Sequence, residues 1–387
     1  MEKAKAQQPV FFGALESLRG IAALVVVIYH LPRWYDPFYD IAFIRSGHLM
    51  VDFFFVLSGF VLFHSYGRRL NGRVDLEKFV ALRFGRLYPI HLTFMVAFVI
   101  IELGKYWAAN KYGFDGQGVR PTLYPIVHAT IENLVLVQGL GFTHRELFLN
   151  FPSWSISTEF YTYLVFGLAI WLLPRRAFNG FAVAFVGACI AVLVIGGARL
   201  GELAGFLRCL AGFFLGCLVY VVYDRSKEQG PKRDVAGVLL LLVALVLGLR
   251  SPVEDPGNVW ENLAFPISAV LILALVSSPG SVTNTILLWR PFRWLGEISY
   301  SLYMSHALTL YLARHGWPVI LRKFGGAGLE EGKQVSLGTA SCIYPITVLA
   351  ALALGWLAFK LIEDPSRRVV KAKVTAWFAR PARPVLP

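Results

Sequence analysis

The chain has 387 residues, enough for two or three soluble domains, yet 56% are apolar, only 16% are charged and the mean hydropathy is +0.58; an ordinary soluble protein carries about a quarter charged residues. The charges are lopsided, 37 Lys and Arg against 24 Asp and Glu for a net +13, and they sit in short clusters between long apolar runs rather than in one solvated patch. This excludes a soluble enzyme, a nucleic-acid-binding protein and a disordered chain, and points to an all-α, multi-pass bundle whose partner is the lipid bilayer.

Along the chain, MEKAKAQQ precedes an apolar run from Gly20 to Leu31, and Pro32-Arg33-Trp34 follows with no small-residue cleavage site. That pattern predicts a retained first helix rather than a signal peptide. Runs long enough to cross about 30 Å of hydrocarbon lie near 14–31, 48–66, 87–104, 154–173, 179–196, 203–223, 235–249, 261–278, 297–313 and 338–361. An eleventh run, 124–140, holds Pro125, His128, Glu132, Asn133 and Gln138, which are costly facing lipid.

Charge placement decides whether that run crosses. With ten spans and a cytoplasmic N-terminus, 22 Lys and Arg fall on the cytoplasmic side and 12 on the outer side; with eleven, the division becomes 15 against 19. The positive-inside rule favours ten spans, both termini cytoplasmic and 124–140 as a re-entrant or interfacial piece. The expected organisation is a cytoplasmic segment 1–13, one transmembrane domain 14–361 and a basic cytoplasmic tail 362–387. Cys189, Cys209, Cys217 and Cys342 lie in apolar runs without metal-ligand spacing, as small hydrophobes do.

Several polar residues fall where lipid would penalise them. Arg19 and His30 are 11 residues apart on the first helix, three turns plus about 20°, so they share one face about 16 Å apart. Asp52, in HLMVDFFFVLSGFVLF, enters the second helix at the depth of His30; a carboxylate beside an imidazole fixes its tautomer and stabilises its cation. An acid favoured by the helix dipole explains it equally simply. His48 and His64 read as interfacial.

The densest basic stretch is GRRLNGRVDLEKFVALRFGRLYPIH, with Arg83 and Arg86 three apart on one helical face. Two guanidinium forks there suit phosphate, or an anionic-lipid anchor. In NFPSWSISTEFYTYLVF, Ser155 and Glu159 are four apart at the outer end of a span. Arg208, in FLRCLAGFFLG, lies within a span and needs a partner; Tyr303 and His306, in LGEISYSLYMSHAL, are three apart near mid-membrane. Interhelical hydrogen bonding accounts for these last three as well as function does.

Sorted by depth, Arg83 and Arg86 face the cytoplasm, His30, Asp52 and Glu159 the outer leaflet, with Arg19 and His306 between. An enzyme taking a phosphorylated donor from inside to an acceptor outside would use this order. A proton-coupled exporter or flippase of a glycolipid or small solute would use the same groups as a relay, although no paired broken helices or inverted repeat mark one.

ESLRGIAALVVVIYH, VDFFFVLSG, RFGRLYPIH, PSWSISTEFYTYLVF, GEISYSLYMSH and IEDPSRR resemble the successive blocks of the acyltransferase family 3 integral-membrane O-acyltransferases, in order from about residue 15 to 368. The resemblance implies ten spans in a cell inner membrane. It also implies acyl-CoA, most simply acetyl-CoA, as a donor substrate rather than a resident cofactor, a carbohydrate or glycoconjugate as acceptor, and no metal. It marks His30 as the catalytic histidine with Arg19 its companion, Arg83 and Arg86 as CoA contacts, and Asp52 and Glu159 as acid partners. Ser155, Arg208, Tyr303 and His306 stand as further candidates. Some members carry an extra span and an extracytoplasmic esterase-like domain, for which the tail expected here leaves no room.

Overall fold

An apolar backbone in lipid must satisfy its own hydrogen bonds, which favours helices over any open sheet, and every regular element among the described residues is helical. The computed structural model describes residues 12–70, 72–113, 122–141, 149–201, 203–226, 264–323 and 334–378. The span expected at 235–249 lies outside them.

In chain order the helices are α1 (Gly13–Tyr29), the short α2 (Asp36–Tyr39) and α3 (Ala42–Arg45), α4 (Met50–Tyr66), α5 (Arg73–Tyr112), α6 (Leu123–Leu134) and α7 (Ser153–Leu172). They continue as α8 (Arg175–Gly196), α9 (Leu203–Ser226), α10 (Ala264–Ser277), α11 (Val282–Leu287), α12 (Arg290–Lys323), α13 (Leu337–Ala358) and α14 (Asp364–Phe378). Among the described residues six segments are long and apolar enough to cross a membrane: Ala42–Tyr66, Arg73–Tyr112, Ser153–Leu172, Ala177–Gly196, Leu203–Ser226 and Leu337–Phe378. The chain is a helical multi-pass membrane bundle.

Some expected spans are parts of longer helices. The run 87–104 sits inside α5, whose 40 residues extend about 60 Å; Pro89 is accommodated within it, and Thr93 Oγ1 donates to the Pro89 carbonyl at 2.9 Å. The run 338–361 continues through a π-helical turn, Phe359–Glu363, into α14.

Segment 124–140 forms the 12-residue α6 followed by turns, about 18 Å of helix against about 30 Å of hydrocarbon. Glu132, Asn133 and Gln138 are covered by protein. Asn133 Oδ1 accepts from Ser153 Oγ at 3.2 Å, the Asn133 carbonyl contacts His91 Nε2 at 2.9 Å, and Gln138 Nε2 donates to the Ser153 carbonyl at 3.1 Å.

Small residues let the central helices approach closely, as bilayer packing requires. A Cβ on Gly59 of α4 would lie 1.8 Å from the Phe213 carbonyl oxygen of α9, and one on Gly216 would lie 1.9 Å from that of Val56. Around this contact α1, α4, α5, α7, α9 and α12 enclose the polar residues the sequence singled out, with Phe166, Phe213 and Phe214 fully buried beside them.

Candidate active site

Arg19 is held by α12. Its Nε donates to Ser299 Oγ at 2.8 Å, one Nη donates to the Gly296 carbonyl at 3.2 Å, and the same nitrogen lies 3.6 Å from Glu16 Oε1. The geometry depends on Gly20 and Gly296, where α1 and α12 touch backbone to backbone: a Cβ on Gly20 would lie 2.4 Å from Gly296 N.

Beside Arg19 a cavity of about 300 Å³ runs between α1, α4, α5, α7 and α12. One end is basic, with Arg19, Arg83, Arg86 and Arg367; the walls are apolar, with Phe54, Phe55 and Leu57; and Ser155, Glu159 and Tyr303 stand further along. Arg83 reaches Tyr66 through a 3.4 Å hydrogen bond and lies over its ring, yet its Nε is buried without a partner.

Glu159 belongs to this cavity and not beside His30. Its Oε1 accepts from Ser58 Oγ at 2.7 Å and from the Tyr163 hydroxyl. Ser155, one turn earlier on the same face, shares a 2.9 Å hydrogen bond with the Tyr303 hydroxyl. The Tyr303 ring in turn lies 5.7 Å from that of His306.

The second group centres on His30, which caps α1. The His30 and His306 rings lie 5.3 Å apart, and Phe151 packs 4.8 Å from the first and 5.3 Å from the second. His30 Nδ1 is 2.9 Å from the Val26 carbonyl and His306 Nδ1 is 2.5 Å from that of Tyr303. A carbonyl only accepts, so in the neutral rings each Nδ1 carries the proton and each Nε2 keeps its lone pair. His306 Nε2 is buried without a partner, as is Oδ1 of the adjacent Asn150. Both atoms are hydrogen-bond acceptors.

The loop after His30 is fixed in place. The Tyr344 hydroxyl accepts from the Trp34 and Tyr35 amides at 3.2 and 3.1 Å, and the Tyr39 hydroxyl donates to the Leu31 carbonyl. Burial pushes the Tyr39 phenol above its ordinary range, so it stays protonated and donating at alkaline pH.

Among the described residues, the two carboxylates expected beside His30 are bonded elsewhere, Glu159 as above. Asp52 instead forms a bidentate ion pair with Arg208, Nε to Oδ1 at 3.1 Å and a second contact from Nη2 to Oδ2. The reason is electrostatic: a guanidinium within the bundle needs a counter-charge, and Asp52, 2% exposed, supplies it. The expected depth order shifts accordingly. Arg19 and Glu159 join Arg83 and Arg86 around the cavity, while His306 joins His30. His64, read as interfacial, also lines the cavity and contacts the Tyr220 hydroxyl at 3.2 Å; His48 lies against Tyr29. Among the described residues no cluster of three His, Cys, Asp or Glu could hold a metal.

A sequence model of the acyltransferase family 3 domain, described as an acyltransferase domain, matches residues 12–360. The chain belongs to acyltransferase family 3. YrhL of Bacillus subtilis, named provisionally as a peptidoglycan O-acetyltransferase, is 24% identical over 96% of this chain and 59% of its own length. The acyltransferase MdmB of Streptomyces mycarofaciens is 26% identical over 92% of each chain, and the O-acetyltransferase OatA of Staphylococcus aureus is 25% identical over 94% of this chain and 58% of its own. The chain thus spans about three fifths of the length of two of these three relatives. No solved structure matches it.

In this acyltransferase family 3 chain, sequence reading missed Ser58, Tyr163, Ser299 and Arg367 as parts of the cavity or its supports. Ser299 and Arg367 do lie inside two of the quoted blocks, GEISYSLYMSH and IEDPSRR. Ser58 and Tyr163 likewise lie inside VDFFFVLSG and PSWSISTEFYTYLVF, but a lone hydroxyl on an apolar helix reads as packing until its carboxylate partner is known.

Proposed function

We propose that this membrane acyltransferase is an O-acyltransferase of the cell inner membrane, multi-pass, taking an acyl group from cytoplasmic acyl-CoA, acetyl-CoA in the simplest case. The group passes to a hydroxyl of a carbohydrate or glycoconjugate on the extracytoplasmic side. The observation that carries the reading is the continuity of one path. The cavity begins among Arg19, Arg83 and Arg86 and reaches Ser155 and Tyr303; the Tyr303 ring lies 5.7 Å from His306, and His306 lies 5.3 Å from His30. Relatives named as O-acetyltransferases support acetyl transfer, and the one named for peptidoglycan supports a glycan acceptor.

In this reading the donor's phosphates engage the Arg83 and Arg86 forks, and its thioester arm extends along Phe54, Phe55 and Leu57 toward Ser155. His30 Nε2 takes the proton from the acceptor hydroxyl as its oxygen attacks the thioester carbonyl carbon. The new C–O bond replaces the C–S bond, the thiolate of CoA leaves, and the proton on His30 can neutralise it, so the base is restored. Arg19, held on α12, fixes the face of α1 from which His30 also projects. No permanently bound cofactor is required.

Two measurements test this. Purified full-length protein in proteoliposomes should consume acetyl-CoA when an acceptor glycan is supplied, and surface glycans of a deletion strain should lose an acyl mass relative to the parent. Solute transport without acyl-CoA consumption would overturn the reading in favour of an exporter.

A further inference from the structure

Arg367 opens into the basic end of the cavity from a part of the chain remote from every other residue there. It is carried by α14, which follows the π-helical turn Phe359–Glu363 and packs along α5. The contact is close at one point. Gly85 lies between Arg83 and Arg86, and a Cβ there would be 2.2 Å from Val370 Cγ1. Val370 is three residues after Arg367, on the same face of α14. Seating Val370 against Gly85 therefore brings Arg367 to the Arg83–Arg86 face.

The charges at this end are incompletely matched. Arg86 repels both Arg19 and Arg367. Arg83 Nε is buried without an acceptor. Arg367 is anchored only loosely, 3.6 Å from Glu363 Oε1, because Glu363 is 2% exposed and its Oε2 already accepts from Ser301 Oγ at 2.6 Å. The neighbouring Arg368 is more exposed, is paired more closely, with Asp364 at 2.7 Å, and does not line the cavity. Clustered guanidiniums in a partly dry cavity are unfavourable until a polyanion joins them, and a planar fork is the group best shaped for phosphate.

We propose that Arg367 is a phosphate-binding residue of the donor site and that α14 closes the mouth of the cavity, adding a guanidinium to those of Arg83 and Arg86. The ligand class is a thioester carrier bearing several phosphates. On arrival, a donor phosphate replaces the loose contact with Glu363, which remains bonded to Ser301. This rests on the acyl-CoA reading and deepens it: the donor site is completed by the C-terminal helix, not by the Arg83–Arg86 segment alone.

Equilibrium binding of CoA and of pantetheine, which shares the thiol arm but has no phosphate, to the purified full-length protein tests the proposal without an acceptor. Arg367→Ala should weaken CoA binding about tenfold or more, as loss of a charge-assisted hydrogen bond does, and lower the CoA-to-pantetheine affinity ratio. Arg367→Lys, which keeps charge but not the fork, should fall between and provides the reading if the alanine variant is poorly folded. Arg368→Ala should match the parent. Gly85→Ala, which displaces Val370, should weaken CoA binding in the same direction. An unchanged ratio in Arg367→Ala and Arg367→Lys, with a lowered ratio in Arg83→Ala, would overturn the role of Arg367 while leaving the donor reading standing. Parent protein that binds CoA no better than pantetheine would overturn both.

Discussion

The Tyr303 hydroxyl shares a 2.9 Å hydrogen bond with Ser155 Oγ, which joins α12 to α7 at the cavity, and the Tyr303 ring lies 5.7 Å from that of His306. The same hydroxyl lies 3.3 Å from the Pro152 carbonyl, so Tyr303 is tied to the start of α7 twice. Tyr303→Phe keeps the ring and loses the hydroxyl, and should lower stability by about 1 kcal/mol. Tyr303→Ala also removes the ring that lies beside His306. Thermal unfolding in detergent should separate them, and acetyl-CoA hydrolysis without acceptor should rise only in the alanine variant.

His30 presents Nε2 as its lone-pair nitrogen because Nδ1 is committed to the Val26 carbonyl. His30→Ala should reduce acyl transfer by about 10²–10⁴-fold, the usual contribution of a positioned base, with membrane insertion and unfolding temperature retained. Transfer at the parental rate by stably inserted His30→Ala protein would remove the histidine from the mechanism.

His306 is buried with Nε2 unpartnered, a state that costs stability unless it serves a ligand. His306→Leu should therefore leave stability unchanged or raise it by up to about 1 kcal/mol, while lowering acyl transfer. Loss of stability in step with activity would make the residue a packing element.

Asp52 and Arg208 neutralise each other within the bundle. Asp52→Leu removes the counter-charge bonded to Arg208 and should cost about 3–5 kcal/mol, whereas Asp52→Leu with Arg208→Met should recover most of that loss. Denaturant unfolding of the two single variants and the double variant measures the coupling directly. Additive losses would mean that the pair contributes nothing as a pair.

Gly59 and Gly216 place the α4 and α9 backbones in contact. Either Gly→Leu substitution should prevent that approach, and size-exclusion chromatography should show loss of the monodisperse species. Gly104→Leu, with open space around its Cβ position, is the matched control and should leave the profile unchanged.

The membrane class, the helical architecture and the family were all legible in the chain, because apolar length and ordered motif blocks are local properties that survive without coordinates. The same holds for the pairing of Arg83 with Arg86 and of Ser155 with Glu159, which follows from three- and four-residue helical spacing. The polar residues of segment 124–140 marked it as costly facing lipid, and α6 buries Glu132 and Asn133 in protein. Depth, however, was a poor guide to contact. Asp52 was expected near His30 from its position along α4, yet it faces Arg208 on α9. Helix rotation, which no run length reports, decides that choice.

The sequence by itself determined which side chains are expensive in lipid: Arg19, His30, Asp52, Glu159, Arg208 and His306 stand out because each interrupts an apolar run. Tertiary structure alone decided who neutralises whom. It gave Asp52 to Arg208 and Glu159 to Ser58 and Tyr163, left His30 to a backbone carbonyl and His306, and carried Arg367 from the far end of the chain to the Arg83–Arg86 face. The physical reason is that the cost of a charge in a bilayer is set at its own position, whereas its relief depends on partners supplied by helices 100 to 280 residues away.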